Sequence, residues 1–391
     1  MTPAPPIPRG VWVLGFVSLL MDVSSELIHS LLPVFMVSVL GASMLMVGIV
    51  EGIAEATALL VRVFSGALSD HLGRRKPLAV LGYGLGALSK PLFALATSMG
   101  WILAARFMDR VGKGIRGAPR DALIADITPP SIRGAAYGLR QSLDTIGAFG
   151  GPLLGIVLMI AFAGDFRAVF WVAVVPAFLC VALLVAGVRE PEAPPRDQRA
   201  ASPIHWRALQ EFGAGYWQVV AIGGVFTLAR FSEAFLILRA QDLGLADQFA
   251  PAVLIVMNLV FGLSAFPAGR LADRVNHRHL LVAGLAVLVA ADLVLAQAQG
   301  VGAVALGVVL WGLHMGLTQG LLTTMVAASA PAPLRGTAFG FFSFVCGIAM
   351  LVASVLAGLL WDRFGAAMTF YAGAAICTTA LLLIVCARRG A

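Results

Sequence analysis

The sequence predicts an all-α membrane protein, with 12 transmembrane helices in two pseudo-symmetric six-helix bundles. Three observations carry this. The first is composition: 391 residues, 60% hydrophobic and only 12% charged, with mean hydropathy +0.92, where a soluble chain carries about 25% charged residues. A soluble fold of this length has no means of covering so much apolar surface, whereas lipid does. The second is periodic: windows of roughly 20 apolar residues, the length that crosses a bilayer, recur from Val11 to Val385. The third is an internal repeat. Gly66-Ala-Leu-Ser-Asp70-His71 returns as Gly269-Arg-Leu-Ala-Asp273-Arg274, Arg133-Gly-Ala-Ala-Tyr-Gly138 as Arg335-Gly-Thr-Ala-Phe-Gly340, and Ser25-Glu26 as Ser232-Glu233, each at the matching place in its half.

In chain order the expected spans are 11–40, 44–69, 78–99, 101–121, 134–160, 168–188, 217–240, 249–271, 279–299, 302–325, 336–360 and 366–387. The first follows a Pro-rich start and is long enough to tilt. No small-residue cleavage site follows it, so it reads as a retained helix rather than a signal peptide. Span 4 is the most charged and span 5 the richest in Gly and Pro. After span 6 comes the only long polar stretch, Arg189 to Gln210, whose part from Pro203 to Phe212 could form a short surface helix. The expected organisation is therefore a first bundle over 1–188, a cytoplasmic linker over 189–216 and a second bundle over 217–391.

The net charge of +7 resolves by loop. Arg9 precedes span 1; His71, Arg74, Arg75 and Lys76 follow span 2; Arg133 follows span 4; Arg189, Arg196, Arg199 and Arg207 follow span 6. Arg274 and Arg278 follow span 8, Arg335 follows span 10, and Arg388 and Arg389 follow span 12. The alternate loops hold only Arg167, Arg239 and Arg363. That is the positive-inside pattern with both termini cytoplasmic, and it assigns the basic residues to topology rather than to nucleic acid. Cys180, Cys346, Cys377 and Cys386 lie in apolar runs without ligand spacing, as packing residues do.

The loop after span 2 reads Gly66-x-x-x-Asp70-His71-x-Gly73-Arg74-Arg75-Lys76. Gly66 allows close helix approach, Asp70 ends a helix where it can pair with a neighbouring start, and the basic run holds the loop in the cytoplasm. This string resembles the signature loop of the major facilitator superfamily, with His71 where Arg or Lys is usual. The second copy, with Asp273 and Arg274, is weaker because Asn276 and His277 replace Gly and Arg. Span 5 carries Gly138, Gly147, Gly151, Pro152 and Gly155, a kinked helix with a groove for close packing. It resembles the antiporter motif of that superfamily's proton-coupled exporters, with Ile156 where a further Gly is usual. Arg106-x-x-Asp109-Arg110-x-Gly112-Lys113 of span 4 is similar in placement to the superfamily's span-4 arginine motif, with Asp109 where Gln is common. The resemblance covers the whole chain and implies the major facilitator fold, a monomer in the bacterial inner membrane, no cofactor and no enzymatic activity.

Ionisable residues inside spans cost several kcal/mol unless paired or wetted, and so are functional candidates. Asp22, Glu26 and His29 share one face of span 1. Arg106, Arg110 and Lys113 do so on span 4, and Arg140 and Asp144 lie on span 5. Counting residues from each expected cytoplasmic end places Asp22 level with Arg110, Glu26 level with Arg106, and Glu55 level with Lys90. The second half keeps Arg230 and Glu233 in span 7, Asp292 in span 9 and His314 in span 10 within a more neutral, aromatic and Met-containing wall. The expected function is secondary transport by alternating access, with a small-molecule substrate and protons as partners: proton-coupled export of a drug or metabolite. Two other readings stay open: transport of an organic anion held by the arginines, and of a metal ion or chelate held by Asp22, Glu26 and His29. No HExxH or GxSxG string supports an enzyme.

Overall fold

The computed structural model describes residues 6–72, 74–190, 211–272, 275, 277–330 and 334–386. They form α1 (Arg9–His29), α2 (Met44–Leu72), α3 (Lys76–Ala94), α4 (Met99–Ile127), α5 (Arg133–Ala161), α6 (Phe166–Gly187), α7 (Ala214–Ala229), α8 (Pro251–Ala272), α9 (His277–Gln297), α10 (Val301–Ser329), α11 (Arg335–Phe364) and α12 (Ala366–Cys386). Nine helical stretches among the described residues are long and apolar enough to cross a membrane. Large apolar side chains such as Phe64, Leu88, Val175, Leu263 and Phe266 are more than half exposed, as lipid-facing residues are.

Two spans are broken. Pro33 lacks an N–H and its ring clashes with the carbonyl four residues back, which is that of His29, the residue on which α1 ends. The span resumes as the single turn Leu32–Val34 and then the π-helical Phe35–Val39. It stops at Gly41, whose φ of 65° suits the left-handed closing position of a helix. The seventh span breaks at residues 230–233 without any proline and continues as Ala234–Asp242. There the Ser232 hydroxyl accepts from the Ala234 N–H at 3.3 Å.

The chain divides into two compact units. One comprises Met1–His29 and Thr57–Ile204, the other Ser30–Ala56 and His205–Ala391. In the first, α1 packs on α5 and α6, and α3 on α4 and α6. Its core joins Val11, Leu14, Val17 and Met21 of α1 to Ala79, Tyr83 and Ala87 of α3 and Cys180 and Leu184 of α6. Gly82 and Gly112 mark the crossing of α3 and α4. A Cβ on Gly82 would lie 2.8 Å from the Gly112 carbonyl oxygen, and one on Gly112 would lie 2.6 Å from that of Gly82. Asp165 caps α6, accepting from the N–H groups of Arg167 at 2.9 Å and Ala168 at 3.2 Å. Asp165→Ala should therefore lower stability by about 1 kcal/mol, read as a small fall in the thermal midpoint of purified protein.

In the second unit, α8 packs on α10, α9 on α10 and α12, and α11 on α7 and α12. The Ser30–Ala56 segment, which precedes the rest of this unit in sequence by more than a hundred residues, is built onto α11. The Asp362 carboxylate accepts from the N–H groups of Met44 at 3.0 Å and Leu45 at 2.9 Å, closing the N-terminus of α2. Gly48 packs against the Ser354 carbonyl and Gly358 against that of Met44.

Candidate functional site

The charged residues of the first unit converge on α4, whose Arg106, Asp109, Arg110, Lys113, Arg116 and Arg120 recur every three or four residues and so share a face. They form two layers. In one, Asp109 accepts from the Lys90 ammonium at 2.7 Å, both side chains being buried. Lys90 also donates to the Ser25 hydroxyl of α1 at 2.9 Å, and the Arg110 guanidinium lies 3.7 Å from the second Asp109 oxygen. On α1, Glu26 and His29 approach each other to 3.5 Å. Arg106 and Arg110 are both almost fully buried.

The second layer lies toward the α4 C-terminus. Arg116 approaches Asp22 at 3.6 Å and stacks over the Tyr83 ring, 5.0 Å from its centroid. The Ser18 hydroxyl accepts from Arg120 at 2.8 Å and lies 3.1 Å from the Tyr83 hydroxyl. Arg120 also pairs with Asp121 at 3.1 Å and Asp144 at 3.9 Å. Arg140 pairs with Asp144 at 3.0 Å and with Asp121 at 3.5 Å. Arg120, Asp121, Asp144 and Arg140 are thus one connected acid–base network across α4 and α5, and the Asp22–Arg116 pair joins it through Tyr83 and Ser18.

Two expected pairings are corrected here. Asp22 meets Arg116 rather than Arg110, because α4 runs to Ile127 instead of ending at residue 121. Depths counted from the wrong end slip by more than one and a half turns, which is the step from Arg110 to Arg116. Lys90 takes Asp109, not Glu55, as its carboxylate. The sequence reading also passed over Arg120, Asp121, Tyr83 and Ser18. Arg120 continues the charge recurrence on the face of span 4, whereas Tyr83 and Ser18, on other spans, carry no such signal.

The glycine motif of α5 is positioned against the same carboxylates. A Cβ on Gly147 would lie 2.9 Å from the Asp22 Cβ and from the Leu19 carbonyl, and one on Gly151 would lie 2.8 Å from the Val23 carbonyl and 2.9 Å from the Glu26 Cβ. Pro152 and Gly155 are buried, whereas Gly138 faces open space.

At the start of the signature string, Gly66, still within α2, lies against α4, where an added Cβ would come within 3.3 Å of Ala118. Arg75 donates to Ser69 at 2.9 Å and to Asp126 at 3.4 Å. Glu190 accepts from the backbone N–H groups of Arg75 and Lys76, both at 2.7 Å, and so closes the N-terminus of α3. Arg74 is exposed. Gly73, Asp273 and Arg274 lie outside the described residues, as does the side chain of Asp70. In the second unit Arg230 approaches Glu233 at 3.8 Å in the break of the seventh span. His314 is fully buried, its Nδ1 3.0 Å from the Gly284 carbonyl.

No group of three or more His, Cys, Asp or Glu that could hold a metal ion occurs among the described residues. Asp22 turns to Arg116 while Glu26 and His29 face each other, so the three do not converge on one point.

The family model of the Major Facilitator Superfamily matches residues 14–238 and 219–390. An uncharacterised MFS-type transporter of Methanocaldococcus jannaschii is 32% identical over 386 residues, covering 96% of this chain and 94% of the relative. The multidrug resistance protein MdtH of Photorhabdus laumondii is 33% identical over 163 residues, 41% of this chain and 39% of that protein. Among solved structures, the nucleoside transporter NupG aligns with a TM-score of 0.75 at 13% identity, covering 97% of this chain and 99% of the other.

Proposed function

This chain belongs to the Major Facilitator Superfamily, an integral membrane transporter of small molecules and not an enzyme, and on that premise we propose that it is a proton-coupled exporter of a drug-like or metabolite substrate. The observation that carries the reading is the seating of Gly147 and Gly151 of α5 on α1 at Asp22 and Glu26. The helix that resembles an antiporter motif is thereby packed on the two carboxylates best placed to exchange protons. The local similarity to a multidrug resistance protein supports the substrate class.

In this mechanism the chain works as a monomer in the inner membrane with both termini cytoplasmic, and the six-helix halves over 1–188 and 217–391 exchange access across the linker at 189–216. Asp22 faces the Arg116 guanidinium at 3.6 Å, an attraction that exists only while the carboxyl is ionised. Protonation removes that attraction and leaves Arg116 on the Tyr83 ring, where the guanidinium keeps a cation–π contact. Glu26, beside His29, offers a second exchangeable proton one turn away. Substrate entering the cleft competes with the proton for the same charges, so that uptake of one drives release of the other.

The test is transport in proteoliposomes under an imposed pH gradient, with ethidium as probe. Wild-type protein should move it against its gradient, and Asp22→Asn should reduce the gradient-driven rate at least tenfold, with Glu26→Gln weaker. Gradient-driven transport that survives in both variants ends the proton-site assignment. The anion reading rests on a different observation, the buried Arg106, Arg110 and Arg116 on one face of α4. It is preferred if a carboxylate competes with the probe and ethidium itself is not moved.

A further inference from the structure

The second unit contains a carboxyl group that the mechanism above does not use. Asp292 of α9 is fully buried, and neither of its carboxyl oxygens has a hydrogen-bond partner among the described residues. Its surroundings are shaped to fit it. Gly373 of α12 lies so close that a Cβ there would stand 2.7 Å from Asp292 Oδ2 and 3.1 Å from the Phe231 ring. Phe231 in turn packs on Trp311 and Phe370, at centroid distances of 5.4 and 5.5 Å, and Trp311 lies 6.4 Å from His314. The indole Nε1 of Trp311 and Nε2 of His314 are buried without partners as well.

The charged and titratable groups on the packed elements are engaged elsewhere. On the broken seventh span, Arg230 pairs with Glu233. Arg239 is only a turn from Asp292 in depth, since it donates to the Leu295 carbonyl of α9 at 3.1 Å, yet it gives its salt bridge to Asp242 at 2.6 Å. On α10, His314 directs Nδ1 to Gly284. On α12, the Cys377 thiol donates to the Leu285 carbonyl. An ionised carboxylate in such a place has neither a counter-charge nor a donor, and the cost of holding it is many kcal/mol. Protonation removes the charge without requiring a partner.

We propose that Asp292 is a second proton-binding site, holding a proton as a neutral carboxylic acid in this conformation and giving it up during the transport cycle, apart from the Asp22–Arg116 pair of the first unit. The step is simple proton transfer: the carboxyl O–H bond breaks, the proton passes to water admitted when the packing around Phe231 opens, and the carboxylate that remains is re-protonated from the other side. The inference rests on the proton-coupled reading for its role, but the protonation state is measurable without any substrate.

Infrared spectra of the purified, lipid-reconstituted protein at neutral pH should show the carbonyl stretch of a buried protonated carboxyl. Asp292→Asn should abolish that band, while Asp22→Asn leaves it in place. Asn has almost the shape of the neutral acid, so the variant should fold with the thermal midpoint of the wild type. In proteoliposomes, Asp292→Asn should lose at least tenfold of the pH-gradient-driven movement of ethidium while keeping downhill exchange. A spectrum unchanged by Asp292→Asn overturns the proposal, as does full gradient-driven transport in that variant. If the wild type itself fails to move ethidium, the export reading falls, and the infrared band still decides whether Asp292 carries a proton.

Discussion

Asp109→Asn should be among the most damaging single changes in the protein, lowering stability by about 3–5 kcal/mol. The substitution keeps the size of the side chain and removes its charge. Lys90 is then left buried with neutral acceptors alone, the Ser25 hydroxyl and the new amide oxygen, and an ammonium ion with no counter-charge is what makes a broken buried ion pair expensive. The reciprocal change should be milder. Lys90→Met leaves Asp109 with the Arg110 guanidinium at 3.7 Å, so the carboxylate keeps a cation. The double variant, in which neither charge of the pair is present, should recover most of the stability lost in Asp109→Asn, because no uncompensated ammonium is left buried. Thermal unfolding of the purified protein orders the three variants. If Asp109→Asn melts at the wild-type temperature, or if the double variant is no better than that single one, Lys90 is not held as a charged partner of Asp109 and the ion-pair account of this layer is wrong.

That asymmetry shows where the sequence is legible and where it is not. Apolar windows suffice to place the spans, since crossing a bilayer demands their length and composition. The break in the first span is written in Pro33. The break in the seventh is not written in any single residue: Arg230 to Glu233 hold no proline, and the turn is secured by contacts distant in sequence, among them the Ser354 hydroxyl accepting from the Ser232 N–H at 3.2 Å. The end of span 4 differs for a related reason: the residues past 121 are too polar for an apolar window, yet the helix continues to Ile127, with Arg116, Arg120 and Asp121 paired to Asp22, Asp144 and Arg140 on neighbouring helices. Periodicity places Asp22, Glu26 and His29 on one face of span 1 and the arginines on one face of span 4. Which of them meet depends on where the helices end. Glu190 and Asp126 carry no motif, yet they fasten the signature loop. An acid such as Asp292 can be recognised in a span from sequence, but whether it has a partner is a property of packing.

The same distinction separates two glycines of one motif. Gly151→Leu should cost about 1–3 kcal/mol from overpacking and abolish gradient-driven transport, whereas Gly138→Leu should leave stability unchanged or slightly raised. The sequence presents both as members of the Gly-rich pattern of α5. In the structure, the Cβ of any residue at 151 would drive into the α1 backbone, 2.8 Å from the Val23 carbonyl and 3.0 Å from the Leu27 N–H nitrogen. Backbone cannot rotate away as a side chain tip can, so α1 and α5 must separate. Separation there displaces Glu26, whose Cβ lies 2.9 Å from the same point, and with it the face of α1 proposed to exchange protons. At 138 nothing lies within 4 Å, and replacing glycine in a helix by leucine gains helix propensity of up to about 1 kcal/mol. Thermal midpoints and ethidium transport of the two variants distinguish packing from pattern. Equal destabilisation by both would mean that the motif acts through helix flexibility rather than through the fit of α5 on α1, and the placement of the carboxylates would then need another cause.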